Sequence, residues 1–189
     1  VPYVSRGGLK LAAALDAFGV DPAGRVCLDL GASTGGFTDC LLQRGASKVY
    51  AVDVGHGQLD AKLRADPRVV SFEKTHARDL RPDAFDPPPD LGVADVSFIS
   101  LTAVLGPLVA CLRRPADVVA LVKPQFELEP KKVPKGIVRD PASREEAFAR
   151  VRAAAEALGL EFRGDAESPI TGAKGNVERL AHWALPPRR

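Results

Sequence analysis

Apolar and polar positions alternate along this chain in blocks that switch repeatedly between two periods. Short, nearly continuous apolar runs near 26–30, 48–52, 69–73, 91–95, 117–122, 160–166 and 177–184 predict strands, while residues near 8–18, 36–44, 58–64, 100–112 and 143–158 predict helices. The first helix carries its apolar residues at helical spacing from Leu9 to Phe18 and stops at Gly19. Val118-Val119-Ala120-Leu121-Val122 has no polar face at all, as a strand covered on both sides requires. Ser143 followed by Glu146 has the spacing of a capping box and predicts the start of the last helix. Strand and helix in alternation imply an α/β chain with a doubly wound, mostly parallel seven-stranded sheet of the Rossmann-like kind, and 189 residues suit one domain spanning 1–189. Asp86-Pro87-Pro88-Pro89-Asp90 reads as a stiff connector within that domain.

Such a sheet binds ligands beyond the carboxyl ends of its strands, so the residues at those ends carry the functional signal. The first strand runs into Leu28-Asp29-Leu30-Gly31-Ala32-Ser33-Thr34-Gly35-Gly36-Phe37-Thr38-Asp39, a glycine-rich turn opening a helix, and the second strand ends in Asp53. The dinucleotide fingerprint spaces its glycines G-x-G-x-x-G; here the spacing is D-x-G-x-x-x-G-G. Asp29 would repel a pyrophosphate but can pair with an ammonium, directly or through water. The loop therefore reads as a site for S-adenosylmethionine, with backbone at Gly31, Gly35 and Gly36 against the methionyl part. Ser33, Thr34, Phe37 and Thr38 would shape the turn, and Asp53 would accept from the ribose hydroxyls. The plain alternative is a helix-turn glycine cluster of any α/β protein; the carboxylate at the next strand end favours the cofactor.

Asp95 and Lys123 leave the fourth and fifth strands, so they join Gly31 and Asp53 in one crevice. Taken singly, Asp95 reads as a helix cap that Ser97 or Ser100 could share, Lys10 as a solvated helix lysine, and Glu178 as an ordinary salt-bridge partner. Lys123 is harder to dismiss, because an ammonium rarely enters such a place without a partner.

Composition narrows the setting. The chain is 46% hydrophobic without a run long enough to cross a membrane, and its formal net charge of +2 does not by itself announce a nucleic-acid binder. Lys131, Lys132, Lys135 and Arg139 nevertheless gather in one loop, and Arg6 adds charge near the start. The three cysteines, Cys27, Cys40 and Cys111, have no metal-like spacing and read as small core residues, so no metal is expected. There is no secretory leader, and a reduced, cytoplasmic setting is the expectation. The chain has no methionine and begins at Val1, as a piece of a longer product would.

Six motifs in order then make a resemblance specific. They are Ser5-Arg6-Gly7-Gly8-Leu9-Lys10, the loop at 28–39, Ala94-Asp95-Val96-Ser97-Phe98-Ile99-Ser100-Leu101, Val122-Lys123-Pro124-Gln125-Phe126-Glu127, Lys135-Gly136-Ile137-Val138-Arg139-Asp140, and Ser168-Pro169-Ile170 through Gly175-Asn176-Val177-Glu178. On these the chain resembles the TlyA family, haemolysin-like proteins that methylate the ribose 2′-oxygen of ribosomal RNA with an FtsJ-like catalytic domain. The resemblance implies a catalytic set of Lys10, Asp95, Lys123 and Glu178, S-adenosylmethionine as cofactor and ribosomal RNA, at cytidine, as substrate. Lys123 would be the base, Lys10 would position the hydroxyl and perturb Lys123, Asp95 would hold Lys123 and approach the methionyl ammonium, and Glu178 would orient the lysines and ribose. The lysine roles are interchangeable at this point, since sequence order carries no geometry. The family's usual Asn at the adenine edge corresponds to His76 here. The family's small N-terminal RNA-binding domain is expected to be absent, with cofactor binding kept and modification of RNA weakened. Two other readings stay open: a methyltransferase acting on a small molecule or protein, and a membrane-active cytolysin, against which the lack of a long apolar segment counts.

Overall fold

The computed structural model describes residues 2–189. Seven strands form one sheet in the order β3-β2-β1-β4-β5-β7-β6. They are β1 (Val26–Leu30), β2 (Lys48–Val52), β3 (Val69–Phe72), β4 (Leu91–Ala94), β5 (Ala116–Val122), β6 (Glu161–Glu167) and β7 (Arg179–Leu185). The first five are parallel, and β7 lies antiparallel between β5 and β6. The order reverses between β1 and β4, which is the switch point where an open α/β sheet leaves a crevice.

Helices α1 (Gly7–Phe18), α2 (Gly36–Gln43) and α3 (Ala61–Arg64) cover one face; α4 (Leu101–Ala110) and α5 (Pro141–Ala157) cover the other. The period of two along β5 distributes its residues between two cores. Val119 and Leu121 meet Leu11, Leu15 and Leu41, while Val118, Ala120 and Val122 face the side of Leu105, Leu108 and Val151. Each such leucine, once fully buried, contributes about 1.5–3 kcal/mol. The edge strand β6 instead alternates between half-buried and exposed, and its charged positions Glu161, Arg163 and Asp165 discourage pairing with another sheet.

Most boundaries shift by one or two residues from the sequence reading, and three of the shifts have a plain local reason. Helix α5 starts at Pro141, capped by Asp140, whose carboxylate accepts from the Ala142 N–H at 3.1 Å. Proline at the first helical position moved the start upstream of Ser143, and Glu146 binds Lys132 at 2.7 Å rather than closing a capping box. Helix α3 is confined to four residues because Asp60 caps it at Lys62 N. Strand β7 starts one residue after Glu178, leaving that acid in the segment leading into the strand.

Cys27, Cys40 and Cys111 are buried and unpaired, with the Cys27 thiol pushed up to about 12 chiefly by burial. No helix among the described residues is long and apolar enough to cross a membrane.

Candidate active site

Strand β1 stops at Leu30 because the chain must turn sharply in the gap between β2 and β4. The Gly31 and Ala32 N–H groups both donate to the Val52 carbonyl, at 2.8 and 3.0 Å, and the Asp95 N–H donates to the Leu30 carbonyl at 3.0 Å. At Gly31, with φ of +84°, a side chain would run into the Asp95 backbone, so only glycine lets the two strand ends close together. Gly36 has the same role toward α1: a Cβ there would strike Ser5 and the Gly8 backbone. The amino-terminal turn of α1, with Ser5, Arg6 and Lys10, thereby sits against the start of α2 at the mouth of the crevice.

The crevice consists of two adjoining cavities. One, of about 340 Å³, runs from Asp53 past Thr75 and His76 to apolar walls formed by Val54, Val96, Ile99 and Val104. The Asp53 carboxylate is held by the N–H groups of Ser33 (3.2 Å) and Gly55 (2.8 Å). A carboxylate at one end and an apolar slot at the other match the ribose and base of an adenosine, so the donor set fits a nucleoside cofactor. The second cavity, of about 400 Å³, is floored by Ser33, Thr34, Gly36 and Phe37 and contains Lys10, Asp95, Lys123 and Glu178. Gly31, Ser33, Asp95, Ser97 and Phe98 line both and mark the junction.

Two ion pairs organise the second cavity. Lys123 Nζ lies 2.6 Å from Asp95 Oδ1, in an orientation too oblique for a hydrogen bond, and directs its bond to Ser97 Oγ at 2.9 Å. Lys10 Nζ donates to Glu178 Oε1 at 2.9 Å, and the Glu178 side chain is only 1% exposed. The four charged residues singled out in the sequence, separated by up to 168 positions between Lys10 and Glu178, thus open into one space. Asp95 caps nothing; Ser100 caps α4 by accepting from Thr102 N at 3.1 Å.

Asp29, Gly35 and Thr38 line neither cavity. The β1 alternation turns Asp29 toward α2, where its Oδ2 accepts from Thr38 Oγ1 at 2.7 Å and its Oδ1 is buried with no protein partner. Burial, reinforced by the Asp95 and Asp53 charges and opposed by the Thr38 hydrogen bond, pushes its carboxyl up to about 7. Asp29 thus lies beneath the loop, with one carboxylate oxygen bound to Thr38 and the other without a protein partner. Gly35, at φ +110°, backs onto Leu59 and Leu63, where any side chain would collide.

Three residues escaped notice as site members. Ser97 takes the Lys123 hydrogen bond, Gln125 reaches Glu178 at 3.2 Å, and Phe98 stands 90% exposed with its ring 5.1 Å from that of Phe126. All three lie inside motifs quoted from the sequence; Ser97 and Gln125 are each two residues from a charged member. The exposure of Phe98 follows from a backbone at φ +62°, which the sequence does not announce. In the basic loop, Lys132 is paired with Glu146 and Lys131 lies 3.7 Å from Glu129, so part of that charge is already countered.

The FtsJ-like methyltransferase family matches residues 3–184. The chain belongs to this family. Among relatives of this FtsJ-like domain, the 16S/23S rRNA (cytidine-2′-O)-methyltransferase TlyA of Mycobacterium tuberculosis is 54% identical over 177 residues, 93% of this chain and 66% of the relative. The chain thus spans just under two thirds of that relative's length. Hemolysin A of Brachyspira hyodysenteriae is 48% identical, with 98% of this chain and 78% of the relative covered. A crystal structure of a candidate hemolysin from Lactococcus lactis superposes with a TM-score of 0.96 at 46% identity, covering 98% of this chain and 89% of that one.

Proposed function

We propose that the chain is an S-adenosylmethionine-dependent methyltransferase that modifies the ribose 2′-hydroxyl of ribosomal RNA, at cytidine. The observation that carries this reading is the pairing of Asp95 with Lys123 and of Glu178 with Lys10 in one cavity that opens directly onto the Asp53 slot. The names of the M. tuberculosis relative and of a Campylobacter jejuni relative, a 23S rRNA (cytidine-2′-O)-methyltransferase 36% identical over 183 residues, support the substrate.

When bound, the cofactor supplies a sulfonium methyl already activated for transfer, so the protein's tasks are alignment and removal of one proton. Asp53 would accept from the cofactor ribose, the bared backbone at Gly31 and Gly36 would meet its methionyl part, and the Val54–Val96 side with His76 would enclose its base. Lys123 is the better placed proton acceptor, because both its partners, Asp95 and Ser97, line the junction of the cavities. Lys10, bonded to the buried Glu178, holds the hydroxyl from the other side. Phe98 and Phe126 offer an exposed aromatic face at the mouth, on which a nucleobase stacks whatever its identity. A protein acting on ribosomal RNA would work in the cytoplasm.

Transfer of labelled methyl to ribosomal RNA, mapped to a nucleotide and digested to nucleosides, tests the reading. The expected product is 2′-O-methylcytidine. Label on a base, or on protein or a small molecule with none on RNA, would overturn it.

A further inference from the structure

Glu178 is enclosed more tightly than any other charged group of the cavity. Lys10 holds its Oε1 at 2.9 Å, the Gln125 amide nitrogen holds its Oε2 at 3.2 Å, and the Gly172 backbone presses on the carboxylate so closely that a side chain there would collide. Gln125 can serve only in this orientation, since turning its amide over would bring two acceptor oxygens together. The consequence is that Gln125 Oε1 is buried without a protein partner. An apolar side chain of similar length would spare the unpaired Gln125 Oε1 but would strip the buried Glu178 Oε2 of its donor, so the amide is there for that carboxylate.

Gln125 also shares a short 3-10 turn, Pro124–Phe126, with the residue that follows Lys123. Pro124 is buried and fixes that turn, and the Phe126 N–H donates to the Lys123 carbonyl at 3.0 Å. Lys123 reaches Asp95 and Ser97 from one end of the turn, and Gln125 reaches Glu178 from the other.

We infer that Gln125 is a positioning residue for ribose methylation, fixing the plane of Glu178 and keeping the Glu178–Lys10 pair in register with the Asp95–Lys123 pair. The inference rests on the ribose-methylation reading above. It acts through Glu178 and needs no contact with the reacting atoms.

Q125M removes the amide donor while keeping length and bulk. Wild type, Q125M, E178Q and the double variant are compared in single-turnover transfer from labelled S-adenosylmethionine to deproteinised ribosomal RNA, with donor affinity and thermal midpoint measured on the same proteins. A misplacement of this kind is expected to lower the Q125M rate at saturating RNA about tenfold or more, leaving donor affinity and half-saturating RNA concentration close to wild type, while loss of the donor to Glu178 lowers the midpoint. In the E178Q background the same change is expected to cost less than about twofold further, the mark of two residues acting as one unit. A Q125M rate equal to wild type, or an equal loss in both backgrounds, would overturn the inference while leaving the ribose reading intact. Wild-type protein that labels no RNA would overturn both.

Discussion

Lys123 Nζ and Asp95 Oδ1 lie 2.6 Å apart although 28 positions of chain, and the whole of α4, separate them. The parallel pairing of β4 with β5 brings their carboxyl ends side by side, so each strand delivers one member of the pair without a long loop.

If Lys123 takes the hydroxyl proton, K123A is expected to lower turnover by about a hundredfold or more, the usual cost of a lost acid–base group. Donor binding should persist, since Asp53 and the glycine loop are untouched. Titration calorimetry with S-adenosylmethionine beside a labelled-methyl assay checks both halves; near wild-type transfer would remove Lys123 from the chemistry.

The Lys10–Glu178 pair has a structural side as well. Removing the lysine alone leaves a carboxylate that is 1% exposed without its cation, and breaking such a pair costs about 3 kcal/mol or more. K10M is therefore expected to lower the melting midpoint by roughly 6–12 °C for a domain of this size. Adding E178Q should restore most of the midpoint and none of the activity, as thermal melts and transfer assays on both variants would show.

Asp29 gives the protein a pH signature. Its carboxyl moves from an ordinary 3.8 to about 7 on folding, chiefly through burial. The folded protein then keeps a proton that the unfolded chain releases, so the stabilising contribution is complete below about pH 4 and is lost as pH rises to about 7. D29N keeps an acceptor for Thr38 and cannot ionise. Its stability relative to wild type is expected to rise between pH 4 and 7, by about 1 kcal/mol per pH unit, and to level off above. Urea denaturation at pH 5 and pH 8 measures this, and equal differences at the two pH values would show that Asp29 is ionised throughout.

Phe98 tests whether the exposed aromatic pair meets RNA. Losing one stacked base costs about 1–3 kcal/mol, so F98A should weaken RNA binding roughly tenfold, whereas F98W should keep it. Filter binding of ribosomal RNA separates these outcomes; an unchanged affinity for F98A would exclude stacking at this place.

Most of the sheet was legible because its strands are buried on both faces, and runs such as Val118–Val122 leave no other way to hide them. Helix α5 shows what was not: Asp140 and Ser143 are both good caps, and only the position of Pro141 decides between them. Asp95 and Lys123 were legible as polar residues at strand ends, whereas Lys10 and Glu178, each ordinary when taken singly, entered only through the family resemblance. Asp29 was legible only in part. Its identity suggests a ligand contact, but the strand's period of two carries it to the α2 face, the same side as Cys27. Ser97, Phe98 and Gln125 carry no charge, and their importance depends on what lies across the cavity from them.

One reversed strand has a consequence for how this domain can be altered. Because β7 runs against its neighbours, its beginning lies at the rim where the parallel strands finish, and Glu178 arrives there just before the strand starts. Were β7 parallel, the seven residues of the strand would carry that carboxylate to the far rim, roughly 20 Å from Lys10 at about 3.3 Å per residue. A circular permutant that opens the hairpin between β6 and β7 but keeps the strand's direction should retain the fourth charge at its post. Redesigns that turn the strand around forfeit it, however well they pack.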